Sequence, residues 1–157
     1  MVTHFNNATF KENENWRLRN NYKGCIYNSP TQIKENIPLL VTLYIIEMNN
    51  EANKIMGVGC ISNKNYTDAT YRIYEDRNYN RYTYKGKHRS NLAHLDNNII
   101  LELEERLFKS KRHFKRGQGF LQLPYEIKNK YINSIRNLFN SEELTRSYSD
   151  SRAIPIQ

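Results

Sequence analysis

Alternating apolar and turn-forming segments in the first half of the chain predict a sheet. Residues 39–48 are β-branched, aromatic and nearly continuous, which is typical of a strand covered on both faces. Turn-forming residues at 49–53 predict a hairpin loop, and residues 54–62 return as the second strand. Gly57 and Gly59 lie two apart and therefore on one face of that strand, where they leave room for a backbone or ligand or else mark a barrel bend.

Shorter segments predict the remaining strands. They cover residues 23–27, 70–74, 80–85 and 120–123. In residues 80–85 tyrosines alternate with arginine and lysine, so this strand would have an aromatic face and a basic face. Residues 1–22 are polar and have only scattered apolar positions, and we expect an irregular arm or a short strand pinned by Trp16.

Two later segments have the apolar spacing of amphipathic helices. The first begins at residue 92 or 96 and ends at residue 109, with acids in its first half and cations at its end, as the helix dipole favours. The second covers residues 125–139. A short helix is predicted at residues 32–36, and residues 141–157 are polar, lack periodicity and predict a loose tail.

This order of elements predicts the fold class and the domain organisation. Short strands mixed with a few helices are typical of an α+β fold, here a small, mostly antiparallel β-barrel flanked by helices. A chain of 157 residues has the length of one ordinary domain. We therefore predict a single domain at residues 1–140 and a polar C-terminal tail at residues 141–157.

Composition and charge restrict the class of partner. The chain is 38% hydrophobic and 12% aromatic, which argues against a disordered polypeptide. Its net charge of +8 favours polyanionic partners such as nucleic acid or an anionic membrane surface. The longest apolar run, residues 37–46, is too short to span a bilayer, and the first residues lack the apolar core of a signal peptide. We expect a soluble, intracellular protein with no membrane partner. Cys25 and Cys60 are expected to be small buried side chains, with a disulfide or a reactive thiol as the alternative.

The cations are clustered along the sequence. Residues 106–116 contain six cations and no acid, and residues 81–89 contain four more cations. Clustering predicts a basic patch that contacts phosphates, with binding that weakens steeply as salt rises. The predicted phosphate-contacting residues are Arg81, Lys85, Lys87, Arg89, Lys109, Lys111, Arg112, His113, Lys115 and Arg116.

Residues 111–120, which we call the basic loop, are the most informative segment of the sequence. They combine four cations, one histidine, two phenylalanines and two glycines between a predicted helix and a predicted strand. Cations with interspersed aromatics are suited to holding phosphates and stacking bases, and the alternative is a solvated basic loop. A pocket for a nucleobase, modified or not, would draw on Trp16, Asn28, Ser29, Tyr82, Tyr84 and Phe114. About half of these aromatics have core packing as their simpler explanation.

Signatures of common catalytic sites are weak or missing in the sequence. His88 and His94 lie in a basic segment, where solvated side chains explain them better than a metal site does. There is no GxxxxGK[ST] phosphate loop, and Gly117-Gln118-Gly119 lacks the rest of the dinucleotide fingerprint. We therefore predict no cofactor, no metal and no catalytic residue. His113 beside two cations leaves acid–base cleavage of a phosphodiester open as an alternative.

The layout of the first 65 residues resembles the PUA-like superfamily, which includes EVE, YTH and ASCH domains. The resemblance rests on the early Trp16, a strand reaching Asn28-Ser29-Pro30, and paired strands at 39–48 and 54–62 that contain Gly57-Val58-Gly59. It implies a small barrel that binds nucleic acid and, in several such domains, reads a modified base in an aromatic cage. The chain has one tryptophan, so tyrosines would have to complete such a cage. It is also similar in composition to short proteins of large DNA viruses of protists, which implies a virus factory or a virion.

The sequence as a whole favours a non-enzymatic nucleic-acid-binding domain, with either DNA or RNA as the partner. The basic stretches would contact phosphates, and an aromatic pocket would accept a base. One alternative is a structural or interaction protein, such as an internal virion protein, whose cations face an acidic partner or a packaged genome. The other alternative is a small nuclease that uses His113.

Overall fold

The structure, a computed structural model, describes the backbone of residues 1–150 and the side chains of residues 1–140. The described strands are β1 (Val2–Phe5), β2 (Cys25–Ser29), β3 (Thr42–Asn49), β4 (Lys54–Ser62), β5 (Tyr82–Gly86) and β6 (His88–Ser90). The α-helices are α1 (Asn7–Arg19), α2 (Asn97–Glu104) and α3 (Tyr125–Asp150). A 3-10 helix covers Arg77–Asn80, and a π-helical turn at Glu105–Lys109 continues α2.

The strands form two sheets. The larger sheet has the order β1-β3-β4-β6, in which β1 is parallel to β3 and the other pairs are antiparallel. The smaller sheet is the antiparallel pair β2-β5. The prediction of an α+β fold is confirmed. The predicted barrel is not closed, because the hydrogen-bonded ladders of the described strands form these two separate sheets.

The larger sheet separates two apolar cores, and β3 contributes to both. Ile46 and Met48 pack with α2 and α3 on one face. Ile45, on the opposite face, packs with β2, β5 and α1. Because alternate residues of a strand point to opposite faces, a strand between two cores needs the nearly continuous apolar sequence seen here. The prediction that both faces of this strand are covered is confirmed.

The N-terminal helix α1 was not predicted. Its start is fixed by a capping box, in which the Asn6 side chain accepts from the Thr9 backbone N–H and the Thr9 hydroxyl accepts from the Asn6 N–H. A cap of this kind satisfies backbone donors that the first turn leaves free. Phe10 and Trp16 then dock this polar helix on the second core. The expectation of an irregular arm is therefore wrong for residues 7–19.

Two predicted elements are absent from the described backbone, and a third is reduced. Residues 32–36 are not helical, and the N–H of Ile33 donates to the Tyr84 hydroxyl instead. Residues 70–74 form no strand, because the Asn80 side-chain amide occupies the backbone groups that a neighbouring strand would use. Residues 120–123 contribute only an isolated bridge between Leu121 and Val2.

Helix α3 continues past the predicted end of the domain. It covers Tyr125–Asp150, so the backbone of residues 141–150 is helical where the sequence predicts a loose tail. Residues 151–157 lie outside the described residues. A domain boundary at residue 140 stays a prediction.

Candidate functional site

The basic loop is anchored by backbone hydrogen bonds at Phe114 and just past its C-terminal end. The N–H of Phe114 donates to the carbonyl of Leu107 in the π-helical turn at 2.8 Å. Just past the loop, Leu121 and Val2 exchange two hydrogen bonds, at 2.9 and 3.0 Å. The loop is thus held between the end of α2 and the edge strand β1, which limits the conformations of its backbone.

Two side chains from outside the loop hold its middle. His4 of β1 places Nε2 2.6 Å from the Phe114 carbonyl oxygen and Nδ1 3.3 Å from the Gly119 carbonyl oxygen. Asn50, in the β3–β4 hairpin, donates from Nδ2 to the Lys115 carbonyl oxygen at 3.0 Å. A neutral imidazole has one N–H, so a proton on Nε2 makes the shorter of the two histidine bonds. Two carbonyl groups of the loop, those of Phe114 and Lys115, are therefore held by hydrogen bonds from β1 and the hairpin.

The glycines of the loop serve its packing. Gly117 and Gly119 have φ angles of 114° and 69°, which side-chain-bearing residues rarely adopt. A Cβ on Gly119 would lie 2.5 Å from the Ser29 hydroxyl oxygen and 2.7 Å from that of Thr31. Gly119 therefore allows the loop to lie against the end of β2, and Ser29, predicted to line a base pocket, is buried under it.

The cations of the loop extend from this fixed backbone toward solvent. Lys111, Arg112 and Arg116 are exposed, and Lys115 is half-buried. Among the described side chains, none of these four lies within ion-pair distance of a carboxylate. Lys109 differs, because its Nζ is 3.7 Å from Glu105. Uncompensated charges held close together produce the local positive potential that attracts polyanions.

His113 lies within the basic loop and contacts the loop backbone. Its Nδ1 accepts a hydrogen bond from the Lys115 backbone N–H at 3.4 Å, which places the ring in the turn of the loop. Among the described residues, no three histidine, cysteine, aspartate or glutamate side chains are grouped as metal ligands. The geometry therefore favours a loop-shaping role for His113.

Arg89, predicted to contact phosphate, points between the two sheets. Its Nε donates to Glu47 Oε1 at 2.9 Å, and its Nη2 donates to Glu47 Oε2 at 2.6 Å. The side chains are 12% and 2% exposed. Burial lowers the pKa of Arg89, but the hydrogen bond and charge of Glu47 outweigh it, and the net shift is upward. Because its charge is compensated internally, we leave Arg89 out of the phosphate-binding surface.

Gly57 and Gly59 make room for this buried pair and for a tyrosine bonded to it. The Tyr27 hydroxyl donates to Glu47 Oε1 at 2.8 Å. A Cβ on Gly57 would lie 2.6 Å from Arg89 Nη2, and a Cβ on Gly59 would overlap the Tyr27 hydroxyl oxygen. The space that the sequence suggested for a backbone or a ligand is therefore filled by side chains of the protein itself.

Lys85 lies in a surface cluster of aromatic residues. Its Nζ is 4.6 Å from the ring centroid of Tyr66 and 4.7 Å from that of Tyr71, and it donates to the Tyr71 hydroxyl at 2.6 Å. The Trp16 ring contacts Tyr71 with centroids 6.1 Å apart. These are cation–π and aromatic contacts of ordinary geometry. Lys85 and Trp16, predicted for different roles, therefore belong to one cluster.

The two basic stretches are separated along β5. Tyr82 at the start of β5 pairs with Ser29, which lies against the basic loop, whereas Gly86 at its other end pairs with Cys25. At a rise of about 3.3 Å per residue, these ends are about 13 Å apart. The exposed Arg81, whose guanidinium lies 5.7 Å from the Tyr82 ring centroid, is at the end of β5 nearer to the basic loop, whereas the exposed Lys87 lies beyond the opposite end.

The six residues predicted to line a base pocket do not form one cavity. Asn28 is buried and bonded to Tyr71 and Thr83 through its side chain. Tyr84 is 3% exposed, and its ring packs edge-on against Phe120. Phe114 packs against the other core, beside α2 and α3, whereas the remaining aromatics, Trp16 and Tyr82, pack against the core that contains Tyr84.

An open groove lies instead between the basic loop and the start of α3. Its volume is about 460 Å³. The lining residues are Arg106, Ser110, Arg112, Phe114, Pro124, Tyr125, Glu126 and Ile127. Tyr125 is 71% exposed and was not predicted as a site residue. Its position directly after Pro124, at the start of a predicted helix, was the available signal, but nothing local indicates that it lines a groove together with the basic loop.

Comparison with models of known protein families, with curated proteins and with solved structures finds no match. None of the helices in the described part of the chain is long and apolar enough to cross a membrane. The fold and the site therefore define an α+β domain that presents a braced basic loop beside an open groove.

Proposed function

We propose that this chain is a non-enzymatic nucleic-acid-binding domain that contacts phosphates through its basic loop. The observation that carries the proposal is the loop itself, in which four cations extend from a backbone fixed by His4 and Asn50. A braced backbone reduces the ordering cost of binding, because fewer main-chain torsions have to be fixed when the ligand arrives. The exposed Arg81, at the end of β5 nearer to the basic loop, would add a further phosphate contact.

Nucleic acid is favoured over an acidic protein because aromatic rings accompany the cations. Phe114 and Tyr125 line the groove beside Arg112. Ring faces beside cations are suited to bases and phosphates together, whereas an acidic protein surface needs only the charge. A PUA-like relationship and a virion setting stay predictions, and phosphate binding by the basic loop requires neither.

The test is an equilibrium titration of fluorescein-labelled single- and double-stranded DNA and RNA, followed by anisotropy. Wild type is compared with a loop variant in which Lys111, Arg112, Lys115 and Arg116 are all changed to Ala. The matched control removes the same charge elsewhere by changing the exposed Arg19, Lys23, Lys34 and Arg72 to Ala.

We expect the loop variant to lose at least about tenfold in affinity and the control variant to lose much less. The reason is that contacts between cations and phosphates supply most of the affinity for nucleic acid. Heparin serves as an inert polyanion competitor. Equal losses of affinity in both variants would show that the protein responds only to net charge. Complete displacement of the nucleic acid by heparin at equal charge would show the same. Absence of binding at low salt by the folded protein would point to an acidic protein partner instead.

A further inference from the structure

The groove beside the basic loop has one aromatic wall that is mostly open to solvent. Tyr125 is 71% exposed, which leaves much of an aromatic side chain open to a ligand. Phe114 lines the same groove and is half-buried. Lys128, one turn later in α3, places Nζ over the Tyr125 ring, 5.7 Å from its centroid. A flat ligand therefore finds the exposed part of an aromatic side chain to stack on, with a cation close to the same ring.

The rims of the groove carry positive charge. Arg106 lies in the π-helical turn and Arg112 in the basic loop, and neither lies within ion-pair distance of a carboxylate among the described side chains. The Ser110 hydroxyl donates to the Arg106 carbonyl oxygen at 2.9 Å and fixes the chain between them. Glu126 is an exposed acid in the same groove and opposes part of this charge. Its carboxylate is an acceptor for N–H groups, which phosphates lack and bases carry.

We infer that this groove binds an unpaired nucleobase of a single-stranded nucleic acid, stacked on Tyr125, with the neighbouring phosphates held by Arg106 and Arg112. The inference rests on the proposed function and specifies the form of nucleic acid that it prefers. Bases in a duplex are already stacked on each other, so an open aromatic ring contributes to binding only where a base is unpaired. A volume of about 460 Å³ is within the range of sites for small organic ligands.

The test compares Tyr125→Ala and Tyr125→Phe with wild type, using a 12-nucleotide labelled single strand and the duplex formed by the same sequence. The control is Leu18→Ala, which removes a similarly exposed apolar side chain, on α1. Stacking on one ring contributes at least about fivefold in affinity. We expect Tyr125→Ala to weaken single-strand binding by that factor and to leave duplex binding unchanged. Tyr125→Phe and Leu18→Ala should both stay close to wild type.

Charge variants extend the test within the same groove. Glu126→Gln should strengthen single-strand binding, because it removes a charge that repels phosphate and keeps a side-chain oxygen that accepts from a base. Weaker or unchanged single-strand binding in this variant would contradict a phosphate-bearing strand in the groove. One result would overturn the groove as a base site but leave the proposed function standing. In that result Tyr125→Ala binds single strands as wild type does, whereas the loop variant with all four cations changed to Ala does not bind them. Wild-type protein that binds neither strand form would overturn both.

Discussion

The His4 imidazole lies 2.6 Å from the carbonyl oxygen of Phe114, and this contact ties the first strand to the middle of the basic loop. The two residues are 110 positions apart in sequence. The backbone of the loop is thus part of the folded domain. Its shape depends on a side chain that lies outside the loop.

Replacing His4 by Ala should loosen the basic loop without unfolding the domain. The variant loses the contacts to the Phe114 and Gly119 carbonyls, and a hydrogen bond of this kind contributes about 1 kcal/mol to stability. We expect faster hydrogen exchange of the Phe114 and Lys115 amides and a several-fold weaker affinity for nucleic acid. The control is His94→Ala, which changes an exposed histidine. Unchanged exchange in the loop would show that the Asn50 contact and the loop ends suffice to hold it.

Removing the charge of Glu47 should destabilise the protein strongly. Glu47→Gln leaves the buried Arg89 guanidinium without its counter-charge, and breaking a buried pair in this way typically costs about 3–5 kcal/mol in the free energy of unfolding. Urea unfolding followed by circular dichroism measures the loss. Glu105→Gln disrupts the exposed pair with Lys109 and should cost less than about 1 kcal/mol. Similar losses in the two variants would contradict the buried role of the Glu47–Arg89 pair.

The free energy of unfolding should fall as the pH rises above 9. Burial raises the pKa of the Cys25 thiol from its ordinary 9.0 to about 12. Burial also raises the pKa of Tyr22 to about 12, and that of Tyr27 well above its ordinary 10.0. As the pH rises, the unfolded chain loses these protons first, so the folded state binds more protons. The contribution of these groups to the free energy of unfolding is therefore fully present below pH 9 and is lost toward pH 12.

Cys25 accounts for about 2 kcal/mol of this loss at pH 10.5. That pH is 1.5 units above the thiol's ordinary pKa of 9.0, and each unit corresponds to about 1.4 kcal/mol. Urea unfolding at pH 8.0, 9.5 and 10.5 measures the trend. Cys25→Ser should make the decline between pH 9 and 10.5 shallower. A free energy of unfolding that stays level over this interval would contradict the burial of these groups.

Local patterns were sufficient to predict the elements that bury apolar residues with regular spacing. β3, β4, α2 and α3 all follow from such runs. Helix α1 lacks a regular apolar stripe, and its docking depends on contacts of Phe10 and Trp16 with the second core, which no local pattern displays. Residues 70–74 have strand-like composition, but the Asn80 amide takes the place of a neighbouring strand.

Only the part of the candidate site whose cations are close together in sequence was predictable. The basic loop is a local cluster and was identified from the sequence. The internal position of Arg89 depends on Glu47, 42 residues away, and the position of Tyr125 beside Arg112 depends on how α3 packs. Contacts between residues so far apart in sequence depend on tertiary packing, which cannot be predicted from residue types and their local spacing.

The salt dependence of binding tests the central claim most directly. The association constant for single-stranded nucleic acid is measured across a salt series for wild type and for the variant with Lys111, Arg112, Lys115 and Arg116 changed to Ala. Each phosphate contact on a single strand contributes about 0.7 to the slope of log Kobs against log salt, so four contacts contribute about 3. We predict a steep wild-type slope that becomes shallower by up to that amount in the variant. Equal slopes for the two proteins would contradict the basic loop as the phosphate-binding surface.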